Sequence, residues 1–195
     1  QKLPHFFEVE HVNTLDSAIH VIKDMIVRGA PLIACTAAYG LYFGLRDAKT
    51  VQELPSIISA LKASRPTAVN LFNMLDKAES LLLSIDNIEE AREKALAFAR
   101  QTIEEDVEIC RLIGEHGLPI IEAMYAKNPN RPVQILTHCN AGMLGCIEWG
   151  TISSPIYQAK AKGIPVHVWV DETRPRNQGA NLTAWELTQH GVYNK

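Results

Sequence analysis

The fold class of this chain is decided by residues 133–142, whose sequence is VQILTHCNAG. The apolar run from Val133 to His138 lies between turn residues and predicts a buried β-strand. A helix-like segment follows at about residues 144–162, and residues 165–170, PVHVWV, predict a second strand. We expect the two strands to be connected through that helix and therefore to lie parallel.

A further helix, predicted from Leu182 to Gln189, gives the order strand, helix, strand, helix. This order is typical of an α/β fold built from parallel βαβ units. In such sheets ligands bind at the carboxyl ends of the strands. Residues 138–142 and 171–180 follow the two strands directly, so they are the first candidates for a site.

The first 127 residues, in contrast, predict helices throughout. Capping residues, apolar spacing and Gly or Pro breaks place them from Thr14 or Asp16 to about Val27, from Pro31 to Leu45, from Val51 to Ala63, from Ala68 to Ile85 and from Ile88 to Met124, with a break near Gly114 and Gly117. The turn-rich residues 128–132, NPNRP, mark a domain boundary. We therefore predict a helical domain at 1–127 and the start of a second domain at 128–195.

Composition and charge exclude several classes of protein. Hydrophobic residues make up 47% of the 195 residues and charged residues 21%, as in ordinary globular proteins. The net charge of −3 indicates neither nucleic acid nor an acidic membrane surface as a partner. The four cysteines show no CxxC pair and no zinc spacing, so we expect reduced thiols, no metal and a cytoplasmic location.

Two arginines lie next to predicted helix starts. Arg28, Gly29 and Ala30 precede Pro31, and Arg65 precedes Pro66. Free N–H groups at a helix start, beside an Arg, can bind an anion. From spacing alone, an ordinary turn between helices is the favoured interpretation of each segment, and Thr67 would then cap the second helix.

Cys139 follows the predicted strand and precedes small residues and a predicted helix. The dipole of that helix would favour a thiolate at Cys139. A buried structural cysteine fits the same position. Cys35, Cys110 and Cys146 lie inside helix-like runs, and we expect them to be structural.

The segment after the second strand, residues 171–180 (DETRPRNQGA), is dense in polar groups. Two carboxylates, two arginines and a glutamine follow one strand directly. Part of this set is expected to be structural, with Asp171 as a candidate partner of Arg174. No spacing identifies either carboxylate as a general acid.

Taken together, these segments resemble one family, the methylthioribose-1-phosphate isomerases. The similar segments cover nearly the whole chain and are VRGAP at 27–31, AAYGL at 37–41, RPTAVNL at 65–71, GEHG at 114–117, ILTHCNAG at 135–142 and DETRPRNQGANLTAWEL at 171–187. The last two are long and specific. The resemblance implies an N-terminal helical domain, a Rossmann-like C-terminal domain that is incomplete within these residues, and a homodimer.

The same resemblance implies an aldose–ketose isomerase of methionine salvage that needs no metal or redox cofactor. Its substrate would be the sugar phosphate 5-methylthioribose 1-phosphate and its product 5-methylthioribulose 1-phosphate. By motif, Cys139 would be catalytic, and substrate would be bound by Arg28, Gly29, Ala30, Arg65 and Gln178. A dianionic phosphate is suited to arginines and helix-start amides.

The resemblance also implies what these residues lack. The catalytic Asp of the family, and an Asn-Lys pair of its phosphate site, would lie beyond residue 195, so we expect no turnover from residues 1–195 alone. Asp171 belongs to another motif and does not replace that Asp. Relatives tend to carry Asn at the position of Cys110, which we expect to be a neutral difference.

Two other families share parts of this pattern. Ribose-1,5-bisphosphate isomerases share the THC element, but the AWEL and RPTAVNL segments favour the methylthioribose enzymes. Regulatory subunits of the nucleotide exchange factor of translation initiation share the architecture and are interaction proteins. They lack the Cys of the HCNAG segment and the ETRPRxQGA loop, both of which are present here.

Overall fold

The computed structural model describes residues 2–195, which divide into two compact units. One unit is Val9–Glu105, and the other combines the residues up to Glu8 with Asp106–Lys195. The units divide inside the longest helix, whereas the change from helices to strands falls at the end of that helix. The domain division at residue 128 stays a prediction.

The elements follow the predicted order, with helices first and parallel strands second. In chain order they are α1 (Leu15–Lys23), α2 (Ala30–Asp47), α3 (Leu54–Ser64), α4 (Val69–Leu82), α5 (Ile88–Lys127), β1 (Val133–His138), α6 (Ser153–Ala161), β2 (Val166–Asp171), α7 (Trp185–Gln189) and β3 (Tyr193–Asn194). Short 3₁₀ turns precede α3 and follow β1, and a π-helix, Gly179–Ala184, leads into α7. None of the helices in residues 2–195 has the length and apolar character that crossing a membrane requires.

Helix α1 begins after Thr14, which is one of the two caps that the sequence offers. Thr14 is its N-cap, and its hydroxyl oxygen accepts a hydrogen bond from the N–H of Ser17 at 3.1 Å. The alternative cap, Asp16, lies inside the first turn. The predicted end at Val27 is wrong, because Met25 takes a φ of 56° and the helix ends at Lys23.

Helix α2 lies at the centre of the helical unit and is packed closely, as its small residues predict. A Cβ atom on Gly40 would lie 2.9 Å from the Cβ of Ala18 and 3.0 Å from a methyl group of Leu61. Ala37 and Ala38 are fully buried in the same core. Helices α1 and α3 can approach α2 this closely only because these positions carry small residues.

Helix α5 corrects one prediction, because it runs unbroken through Gly114, Gly117 and Pro119. A Cβ on Gly114 would lie 2.2 Å from the hydroxyl oxygen of Ser154. The glycine therefore marks a close approach between α5 and α6 rather than a helix end.

The sheet confirms the predicted parallel arrangement. The strand order is β1-β2-β3, and both neighbouring pairs are parallel. Its buried face packs in a core that includes Val133, Val168 and Leu187. The other face is open in part, since Leu136 is 72% and Trp169 43% exposed, so the prediction of a fully buried first strand is wrong.

The segment between β1 and α6 is also not the predicted helix. A 3₁₀ turn, Met143–Gly145, is followed by irregular chain in which Trp149 and Gly150 have φ values of 63° and 71°. Left-handed residues of this kind interrupt a helix. Helix α6 therefore begins only at Ser153.

Candidate functional site

The carboxyl ends of β1 and β2 lie side by side and bring two titratable groups together. His138 is paired in register with Asp171, and its Nδ1 lies 2.9 Å from the Oδ2 of Asp171. The hydrogen bond from His138, with a second from the N–H of Glu172, holds the pKa of Asp171 below its usual range. Arg174, considered above as the partner of Asp171, instead contributes to lowering the pKa of Glu172.

Cys139 begins a loop that leaves β1 in a strained conformation. Its φ is 62°, in the left-handed region that residues other than glycine rarely adopt. Its side chain is partly exposed. The helix whose dipole was expected to act on this thiol does not start here, because only the three-residue turn Met143–Gly145 follows.

The segment around the π-helix and α7 holds this loop through two side chains. The hydroxyl of Thr183 donates to the carbonyl oxygen of Cys139 at 2.6 Å and accepts from the side-chain amide of Asn140 at 3.2 Å. The carboxylate of Glu186 accepts from the N–H groups of Met143 at 2.8 Å and Leu144 at 3.1 Å. Thr183 thus holds the start of the loop, and Glu186, three residues later in the chain, holds its end.

A small cavity lies inside this arrangement. It has a volume of about 10 Å³, and its lining includes Thr137, Cys139, Gly142, Ile156 and Glu186. This space is close to the size of a single water molecule. Cys139 therefore has a largely enclosed space on one side.

The loop after β2 is organised by a carboxylate as well. Burial would raise the pKa of Glu172, but hydrogen bonds from the N–H groups of Thr173, Gly179 and Ala180 outweigh that effect and lower it. Gln178 is 8% exposed and precedes the π-helix directly. The structure therefore places Gln178 in the same unit as Cys139, and its contact with a substrate stays a prediction.

The predicted anion segments lie in the helical unit. Gly29 is the N-cap of α2 with a φ of 87°, and Arg28 precedes it. Arg65 ends α3, and one of its guanidinium nitrogens, Nη1, is buried without a hydrogen-bond partner among residues 2–195. The predicted cap Thr67 is wrong, since α4 begins after Ala68. Phosphate binding by these residues stays a prediction.

The other cysteines are buried, as expected for structural residues. Cys35 and Cys110 lie in α2 and α5, whereas Cys146 lies in the irregular segment rather than in the predicted helix. Cys110, Cys146 and Asp106 place one potential ligand atom each within 4.8 Å of one another. Burial raises the pKa of Cys110 and raises that of Cys146 to about 12, so both thiols are protonated at neutral pH.

Sequence reasoning missed the two residues that hold the loop, Thr183 and Glu186. Together with Leu187 they share the i, i+3, i+4 spacing of one helix face, and all three are buried. A threonine and a carboxylate beside Leu187 on one helix face are the available signal, since buried polar groups normally have specific partners. The partners themselves lie about 40 residues earlier, which the local pattern does not reveal.

Comparisons with known proteins identify relatives over most of the chain. Residues 26–195 match the model of the initiation factor 2 subunit family. The chain is 50% identical over 190 residues to a methylthioribose-1-phosphate isomerase of Rhodospirillum centenum, covering 97% of this chain and 50% of that protein. The chain thus spans about half the length of the curated relatives it matches.

Two solved structures share the fold over the whole of this chain. The 5-methylthioribose 1-phosphate isomerase of Pyrococcus horikoshii superposes with a TM-score of 0.87 at 34% identity, and this chain covers 54% of it. The translation initiation factor eIF-2B, subunit delta, of A. fulgidus superposes with a TM-score of 0.83 at 36% identity, and this chain covers 56% of it.

Proposed function

The chain belongs to the initiation factor 2 subunit family, and from that premise we propose that it is part of an enzyme that converts 5-methylthioribose 1-phosphate to 5-methylthioribulose 1-phosphate. The observation that carries the proposal is the partly exposed Cys139, held at a φ of 62° at the carboxyl end of β1. Strained residues of this kind cluster at active sites. The 50% identity to an isomerase of that name supports the choice of reaction.

The reaction is an internal redox exchange that consumes no oxidant. The bond between C1 and the ring oxygen O4 breaks and O4 gains a proton. Hydrogen on C2 moves to C1, O2 loses its proton and a carbonyl forms at C2. We assign Cys139 to one of these two proton exchanges, a task that needs a positioned acid or base.

The same proposal assigns the phosphate to residues of the helical unit. A phosphate needs backbone N–H groups and cations, and Arg28, Gly29 and Ala30 combine both at the start of α2. The unpartnered nitrogen of Arg65 supports a role in binding an anion, because buried donors are normally satisfied. Gln178 is assigned to the sugar.

Further parts of the proposal concern the assembly. The three parallel strands would be the beginning of a Rossmann-like sheet, and the active protein a cytoplasmic homodimer that does not act on nucleic acid. Sedimentation of the complete gene product would measure the oligomeric state, and a monomer at working concentration would remove the dimer from the proposal.

The direct test is an assay of the complete gene product with 5-methylthioribose 1-phosphate. We expect the ketose phosphate to form without added metal or nucleotide, and its carbonyl carbon to be C2 in a ¹³C spectrum. A folded, complete protein that leaves this substrate unchanged would contradict the proposal. That outcome would favour a second candidate, a non-catalytic subunit, which is supported by the 36% identity to the eIF-2B delta subunit.

A further inference from the structure

Glu186 is a buried carboxylate whose oxygens are occupied by hydrogen bonds. It is 3% exposed. One oxygen accepts from the N–H of Met143 and from the hydroxyl of Tyr157, both at 2.8 Å, and the other accepts from the N–H of Leu144 at 3.1 Å. Burial and the neighbouring charge of Glu186 raise the pKa of Tyr157, so the phenol stays a donor. A carboxylate is removed from water at considerable cost unless it is bonded in this way.

The loop is shaped to receive this carboxylate. A Cβ atom on Gly142 would lie only 1.9 Å from the Oε1 of Glu186, so the backbone passes the carboxylate at a distance that only glycine permits. Met143 and Leu144 then turn their N–H groups onto it. The contact therefore fixes the position of the chain three to five residues after Cys139.

The other end of the loop is fixed from the same helix face. Thr183 lies one turn before Glu186 and binds the carbonyl oxygen of Cys139 itself. With Cys139 in the left-handed region, its peptide groups depend on such contacts to stay in place. The π-helix that carries Thr183 is a rare element that is frequent at functional sites.

We propose that Glu186 is a positioning residue, which holds the loop from Cys139 to Leu144 in the strained conformation that presents the Cys139 thiol. The catalytic consequence rests on the proposed function, whereas the effect on the loop does not. Glu186 acts through backbone N–H groups and is not assigned contact with the substrate.

The first experiment measures the loop without any assay of turnover. Cys139 is the one partly exposed thiol among the four cysteines, so alkylation by iodoacetamide, followed by mass spectrometry of the peptides, reports on it selectively. Glu186→Gln replaces an acceptor by an NH₂ group that cannot bond to N–H donors. We expect the alkylation rate of Cys139 to change by about tenfold and the amides of Met143 and Leu144 to lose hydrogen-exchange protection.

The matched control is Tyr157→Phe. It removes a hydrogen bond from the same carboxylate but leaves both bonds to the loop. We expect a wild-type alkylation rate and wild-type amide protection for this variant. Equal behaviour of Glu186→Gln and wild type, or of Glu186→Gln and Tyr157→Phe, would overturn the proposal.

The second experiment separates positioning from general stability in the complete gene product. Glu186→Gln should lower kcat by about 10²-fold, the effect of a misplacement of about 1 Å, while KM stays within about threefold. Val168→Ala, a cavity-forming change in β2, gives a destabilised control that should keep its kcat. An unchanged kcat in Glu186→Gln, in an enzyme that loses turnover when Cys139 is replaced, would overturn the positioning role alone. Full turnover of Cys139→Ser would instead remove the catalytic role of Cys139 and leave the alkylation result standing.

Discussion

Gly29 in the helical unit and Cys139 in the sheet unit both have a positive φ, but they differ in what this conformation costs. Gly29 takes a φ of 87° before α2, and this costs little because glycine has no Cβ. Cys139 takes a φ of 62° against a penalty of about 1–2 kcal/mol. Thr183 and Glu186 brace the loop that starts at Cys139. The difference indicates that the first turn needs only its backbone, whereas the second keeps a particular side chain in an unfavourable place.

The largest effect on stability should come from filling the space between the backbone at Gly142 and the carboxylate of Glu186. Gly142→Ala places a Cβ 1.9 Å from the Oε1 of Glu186 and should destabilise the protein by about 3 kcal/mol, the upper end of the usual cost of overpacking. Gly163→Ala is the control, because its φ is 74° but nothing lies within 4 Å of the added atom. Strain alone should cost about 1 kcal/mol there. Urea unfolding of both variants measures the difference, and equal losses would show that the carboxylate moves aside freely.

How far the sequence predicts the fold depends on whether the deciding contacts are local. The strand Val133–His138 and the cap Thr14 depend on neighbouring residues, and both are confirmed. The sequence predicts a helix break at Gly114, because the residue that requires this glycine, Ser154, is 40 residues away and is not part of the local pattern. The sequence also predicts a helix around Trp149. The structure has irregular chain there, because Trp149 takes a φ of 63°, which the local composition does not reveal.

The candidate site follows the same rule. Cys139 is a candidate because it directly follows the predicted strand, and this position can be recognised from the sequence alone. The brace from Glu186 is not visible, because the N–H groups it accepts from are more than 40 residues earlier. Sequence reasoning therefore finds Cys139 as a candidate and misses the residue that holds its loop.

The strain at Cys139 should be measurable as a preference for glycine. Cys139→Gly should be more stable than Cys139→Ala by about 0.5–1 kcal/mol, because glycine adopts the left-handed region freely. At Ala123, on the exposed face of α5, alanine should instead be more stable than glycine. Ala123→Gly should therefore lower the free energy of unfolding by about 1 kcal/mol. Thermal and urea unfolding of the three variants test this. If alanine is as stable as glycine at position 139, the loop holds no strain and the contrast with Gly29 disappears.

The smallest effect concerns the pair at the strand ends. Because the pKa of Asp171 is lowered in the folded protein, its contribution to stability is present above the ordinary pKa of a carboxyl and is lost as the pH falls through the lowered value. His138→Ala should raise the pKa of Asp171 towards its usual range, as followed by ¹³C NMR of the carboxyl group. The control is His167→Ala, which changes a residue of β2 four positions before Asp171. This variant should leave the pKa of Asp171 unchanged. A pKa of Asp171 that does not respond to His138→Ala would show that the backbone bond alone lowers it.

The central claim is that Cys139 is kept in place for its chemistry, and turnover of two serine variants tests it most directly. In the complete gene product, Cys139→Ser should lower kcat by about 10²–10⁴-fold, as expected for a lost acid or base, with little change in melting temperature. Cys146→Ser alters a buried thiol of the same segment and should keep near-normal kcat. Near-normal kcat in both variants would contradict the account and make Cys139 a structural residue.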